Sequence, residues 1–78
     1  MAFVVDFTFQ QNPESGEYEY REECATFPEA LQLAMRWERQ HYAWDNAELH
    51  DRWTEEAYCR IWQRGNDHIA SHTTITEI

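Results

Sequence analysis

Seventy-eight residues allow one domain, since domains typically run about 100–150 residues, and a chain this short buries only about 60% of its unfolded surface. Four Trp, four Tyr and four Phe supply that core at about 150–250 Å² each, which excludes a disordered acidic tail. Fifteen Asp and Glu against six basic residues, all of them Arg, give a charge of −9, which disfavours direct binding to nucleic-acid phosphates or anionic lipid.

Ala2–Gln10 alternates, with Phe3, Val5, Phe7 and Phe9 on one side and Asp6, Thr8 and Gln10 on the other. This is the period-two pattern of a half-buried strand. Gln11–Gly16 holds Asn12, Pro13, Ser15 and Gly16, which is turn chemistry. Glu17–Cys24 alternates again, Tyr18 and Tyr20 opposing Glu17, Glu19, Arg21 and Glu23, so an antiparallel hairpin is expected. Thr26-Phe27-Pro28-Glu29 then opens a helix, with a capping hydroxyl, a first-turn proline and a Glu three residues beyond the cap. Phe27, Ala30, Leu31, Ala34, Met35 and Trp37 form its expected apolar stripe, and it ends near His41.

Asp45–Arg64 reads two ways. As a helix it has a capping box at Asp45 and Glu48, Arg60 and Arg64 near its C-terminus, and Gly65 just beyond. Its apolar residues, however, scatter around the helix instead of forming a stripe. As a hairpin, Ala47–Trp53 and Tyr58–Gln63 are strands joined by Thr54–Ala57, and Tyr58-Cys59-Arg60-Ile61-Trp62 favours a pleated surface. The hairpin is expected and the helix is the alternative. After the turn Gly65-Asn66-Asp67, His68–Glu77 reads as a last strand with Ile69, Ser71, Thr73 and Ile75 on one face. The fold class is α+β: a small antiparallel sheet with one helix packed on one face, in the order ββαβββ, or ββααβ under the alternative.

His41, His50, His68 and His72 with Cys24 and Cys59 are scattered singles, whereas a zinc site gathers three or four ligands, usually from compact pairs. No metal or other cofactor is expected, and Cys24 and Cys59 read as small apolar residues. Glu38 and His41, three apart, read as a surface pair at the helix end. There is no nucleophile elbow and no glycine-rich phosphate loop, and a chain of this size is not expected to enclose a substrate pocket of about 300 Å³ or more. The protein is therefore expected to bind rather than catalyse. No segment approaches the run of about 18 apolar residues of a membrane span, and the N-terminus lacks a basic, then apolar, signal segment. The cytoplasm is the expected location, that of the host cell if the chain is phage-encoded.

The acids concentrate in two stretches, Glu14–Glu23 and Asp45–Glu56. Glu17 and Glu19, two apart on a strand, make an anionic row that Arg21 interrupts before Glu23. Such rows cost self-repulsion and suit a cationic partner. Aromatics flank the second stretch, and Trp anchors interfaces more often than most residues. The expected partner-binding residues are Glu17, Glu19, Glu23, Trp44, Asp45, Glu48, Asp51, Trp53, Glu55 and Glu56, facing a basic protein surface such as a nucleic-acid-binding complex presents.

With the helix entry Phe27-Pro28-Glu29-Ala30-Leu31 and the strand start Gly16-Glu17-Tyr18-Glu19-Tyr20, the chain resembles the small inhibitor proteins of phages and mobile elements, of which the anti-CRISPR proteins are the best-known group. The resemblance lies in size, charge and element order. It implies an inhibitor that binds a CRISPR effector complex and blocks its access to nucleic acid, its acidic face standing in for DNA. The alternative expectation is a structural or assembly protein that self-associates as a homo-oligomer through an exposed aromatic sheet face or edge.

Overall fold

The alternating residues build strands at both ends of the chain. The computed structural model describes residues 1–78 and contains β1 (Phe3–Gln10), β2 (Glu17–Cys24), α1 (Phe27–Gln40), β3 (Glu48–Trp53), β4 (Ala57–Arg64) and β5 (His68–Glu77). Asp45–Arg64 is thus a loop and a hairpin, not a helix. The strands form one antiparallel sheet in the order β2-β1-β5-β4-β3. The first and last strands pair at its centre, and α1 carries the chain from the β2 edge to the β3 edge while lying over β1, β5 and β2. No helix is long and apolar enough to cross a membrane.

One face of the sheet meets the helix and the other is open. Val5 and Ile75 pack with Ala30, Leu33, Ala34 and Tyr58, while Phe7 and Phe9 pack with Ala43 beside Tyr20, Trp37 and Trp62. The two alanines let α1 approach the sheet closely. Successive residues are about 100° apart around a helix, and α1 is rolled so that Leu33 is buried and Met35 exposed. The expected stripe had them the other way round. Leu33 and Met35 flank Ala34 on opposite sides, and spacing alone does not say which flank meets the sheet.

β5 departs from strict alternation. A register shift falls between Trp62, opposite Ser71, and Gln63, opposite Ile69. It leaves Ala70 fully buried and Ile69 51% exposed, so Ile69 does not share a face with Ser71, Thr73 and Ile75 as the sequence suggested. A β-bulge inserts one residue and flips the side chains beyond it to the other face.

Both helix ends are closed locally. The Thr26 hydroxyl accepts from the Glu29 N–H at 3.3 Å. At the C-terminus Tyr42 N–H donates to Arg39 O at 3.2 Å and Ala43 N–H to Glu38 O at 2.9 Å, the paired bonds of a Schellman cap. That cap needs a left-handed residue, and Tyr42 takes the position at φ 54° where glycine is usual, at a cost of about 1–2 kcal/mol. The sharp turn drops Ala43 into the Phe7–Phe9 cluster, which offsets the strain.

Because α1 leaves β3 and β4 largely uncovered, a polar clamp ties them to it. Arg60 on β4 donates to Glu38 on α1 through Nε at 2.8 Å and through its terminal nitrogen at 2.9 Å, and both residues are buried. Arg60 also donates to the Tyr58 hydroxyl at 3.0 Å, which donates to Asp51 at 2.7 Å. The hydrogen bonds to Glu38 raise the Arg60 pKa above its ordinary value although burial opposes this. Glu38 is therefore not the surface partner of His41 that its spacing suggested. A buried charge left without its partner costs about 3–5 kcal/mol, whereas an apolar pair of similar volume is often neutral. Glu38→Gln and Arg60→Met are each expected to lower unfolding free energy by about that amount in equilibrium urea denaturation, and the double variant Glu38→Leu/Arg60→Met to recover most of it.

Candidate partner-binding site

The β3–β4 hairpin ends in a turn fixed by Thr54. Its N–H donates to Ala57 O at 2.8 Å, and its hydroxyl accepts from the N–H groups of Glu56 and Ala57 at 3.3 and 3.0 Å. The turn sets Trp53 opposite Tyr58. Their rings stack at 4.5 Å, and Phe27 at the start of α1 closes on Trp53 at 5.0 Å. Phe3 meets Phe27 edge-on at 5.9 Å. These rings wall a cleft of about 170 Å³ whose rim carries Glu55, Glu56 and Glu77. Trp53 remains 67% exposed. Tyr58 is anchored from behind by Arg60 and Asp51, and burial followed by its hydrogen bond to Asp51 pushes its phenol pKa up, so it stays a neutral ring.

The opposite end of the sheet holds a different concavity. His41, the C-cap of α1, stacks on Phe9 at 4.8 Å, Tyr18 at 5.3 Å and Tyr20 at 5.4 Å, and its Nε2 lies 3.0 Å from the Tyr20 hydroxyl. Arg64 donates to the backbone carbonyls of Asp45, Gln11 and Tyr42 at 2.8–2.9 Å, so one guanidinium pins the β1–β2 loop to the loop after α1. With Asp45 and Asn46, His41 and Arg64 border a depression of about 590 Å³ that is open to solvent and encloses nothing. Its side chains that could carry charge or a proton are Tyr18, His41, Tyr42, Asp45 and Arg64.

The ten residues singled out from the sequence do not share one face. Glu17, Glu19 and Glu23 alternate with Tyr18 and Tyr20 on β2 and so lie on the open face of that edge strand, where Asp6 pairs with Arg21 at 3.2 Å. Glu48 is on the open face of β3, at the other edge, about 19 Å away at four strand spacings. Asp51 faces the helix side and is engaged by Tyr58. Trp44 and Asp45 sit in the loop after α1, Trp44 being 47% exposed and near Tyr42. Trp53, Glu55 and Glu56 alone converge on one cleft. Sequence reasoning missed its other members, Phe3, Phe27, Tyr58 and Glu77. The Trp53–Tyr58 pairing was available from the hairpin itself, but nothing local brings Phe3 or Phe27 to it.

The remaining candidates for chemistry are dispersed. Cys24 and Cys59 are free thiols on opposite faces and about 14 Å apart at three strand spacings, too far to bridge. Burial, then Glu22 and Glu29, push the Cys24 thiol up, which keeps it protonated and unreactive. His68 Nε2 lies 3.2 Å from Gln11 O, His50 is beside Glu48, and His72 is exposed on the open face. No family model matches the chain, and no curated protein or solved structure matches it.

Burial in the aromatic cluster lowers the His41 pKa from its ordinary 6.5. As pH falls below that value the unfolded chain takes up the proton first, so the stability present above pH 6.5 is lost toward the lower folded pKa. Urea midpoints measured on either side of the ordinary histidine range are therefore expected to fall on acidification, and to fall less in His41→Phe, which keeps the stack and removes the titration.

Proposed function

We propose that this domain is a non-catalytic binding module that docks on a cationic protein surface, of the kind that nucleic-acid-binding complexes use to hold nucleic acid, and inhibits by occupying it. The observation that carries this reading is how the charge is displayed. Glu38 is the one buried acid, and it faces Arg60. Arg64 is engaged by backbone carbonyls and Arg21 by Asp6. Arg36, Arg39 and Arg52 are left free, two of them on the helix. The open sheet face at β2 and the hairpin tip are therefore anionic without internal compensation, and Trp53 stands exposed beside the tip. Charge of one sign speeds encounter with the opposite sign, and an aromatic anchor supplies affinity once contact is made. A CRISPR effector complex is one surface of this kind.

Tagged protein is expected to capture a basic nucleic-acid-binding complex from lysate of the source cell or its bacterial host in a low-salt wash, to release it at high salt, and to reduce that complex's own nucleic-acid binding. Glu17→Lys/Glu19→Lys is expected to weaken capture several-fold. Capture indifferent to both salt and charge reversal would remove the electrostatic basis.

A second reading, self-association, draws on the β3 edge. All six of its residues are exposed, Leu49 and Trp53 among them, and it pairs with β4 on one side only. Light scattering separates the two, since self-association makes the mass rise with concentration whereas an inhibitor of this design stays monomeric.

A further inference from the structure

We propose that the cleft at the hairpin end is a receptor for a single arginine side chain of the protein partner, an inference that rests on the cationic-surface reading above and names the chemistry of its contact. Three features point to a guanidinium. The lining is rich in aromatic rings, Trp53 among them, and a ring quadrupole attracts a cation, most strongly that of Trp. Glu55, Glu56 and Glu77 at the rim provide carboxylates that a guanidinium engages in a paired, planar way. The cleft of about 170 Å³ has the scale of one long side chain, below the range of about 300–1,000 Å³ typical of sites for larger ligands. Arginine fits better than lysine because its flat, weakly hydrated head stacks on aromatic faces while offering a fork of donors to the rim.

The cleft is built before any partner arrives. Trp53 is backed by Tyr58 and Phe27, Tyr58 is held by Arg60 and Asp51, and the carboxylate-bearing turn is stapled by the Thr54 hydroxyl. A receptor whose rings and turn backbone are already held loses little freedom of those groups on binding. The other anionic stretch, Glu17 and Glu19, lies on the opposite face of the sheet, on an edge strand, and supplies long-range attraction.

The test titrates ¹⁵N-labelled full-length protein with a glycine-flanked peptide carrying one arginine, and with its lysine and citrulline counterparts, following the four Trp indole signals and the backbone amides. Saturable shifts at the Trp53 indole and at Glu55–Tyr58 are expected with arginine, at least tenfold weaker with lysine and absent with neutral citrulline. Trp53→Leu, checked for a wild-type spectrum elsewhere, and Glu55→Gln/Glu56→Gln are each expected to weaken the response at least fivefold. Equal binding of citrulline and arginine, or shifts confined to Glu17 and Glu19, would overturn the proposal. If Trp53→Leu in addition captures its partner as wild type does and still sheds it at high salt, the cleft fails while the cationic-surface reading survives. If capture by wild-type protein is itself absent or salt-indifferent, the functional reading fails as well.

Discussion

The buried pair of Glu38 and Arg60 is the constraint on which the rest of the architecture turns. A single 14-residue helix cannot cover five strands, and here it covers the β2–β1–β5 half. The other half, β4 and β3, is coupled to the helix through the Arg60 guanidinium and through the Phe27 ring. Two charges are costly to bury, and their mutual attraction offsets that cost best when the geometry is bidentate and further hydrogen bonds are made. The pair is bidentate, and the third guanidinium nitrogen donates to the Tyr58 hydroxyl. From there the chain of contacts runs outward, Tyr58 backing Trp53 and Asp51 closing the network from β3. The exposed hairpin end is therefore tied to the core by this polar network as well as by Tyr58 and Phe27 in the apolar cluster.

Much of this fold was legible in the sequence because its strands follow one rule. Phe3 to Phe9 and Tyr18 to Tyr20 alternate strictly, and the structure places them on the helix side as alternation requires. The Thr26 cap and the limits of β2 and β5 are equally local. Three features were not legible, each for a non-local reason. The roll that buries Leu33 in place of Met35 depends on how the helix meets the sheet. The bulge that turns Ile69 outward depends on β4 pairing with β5. Glu38 looks like a solvated acid until a strand more than twenty residues later brings Arg60 beneath it. Of the candidate cleft, Trp53, Glu55 and Glu56, in or next to the hairpin turn, were singled out from the sequence, whereas Phe3, Phe27, Tyr58 and Glu77 were not.

The two ends of the sheet dispose their polar groups differently. At the helix C-terminus, Arg64 and His41 direct their polar groups inward, to backbone carbonyls and to Tyr20, so the aromatic stack there holds loops together. At the hairpin end the carboxylates of Glu55, Glu56 and Glu77 form no internal ion pair with any arginine, and the stack there faces water. Aromatic stacks thus occur at both ends, but the charged groups beside them are engaged internally at one end and left unpaired at the other.

The scarcity of apolar surface sharpens that contrast. A domain of this size has little hydrophobic area to leave uncovered, and an isolated exposed side chain such as Ile69 is explained by its bulge and by the ordinary apolar content of protein surfaces. Trp53 is different. It is the largest side-chain type, it is two-thirds exposed, and it is nonetheless held by two other rings and a stapled turn. Packing that immobilises a ring without burying it secures little hydrophobic stabilisation for the ordering it imposes. On the proposed cationic-surface reading, the stabilisation that Trp53 lacks in the free protein comes when a second molecule covers the ring and carries charge opposite to the carboxylates around it.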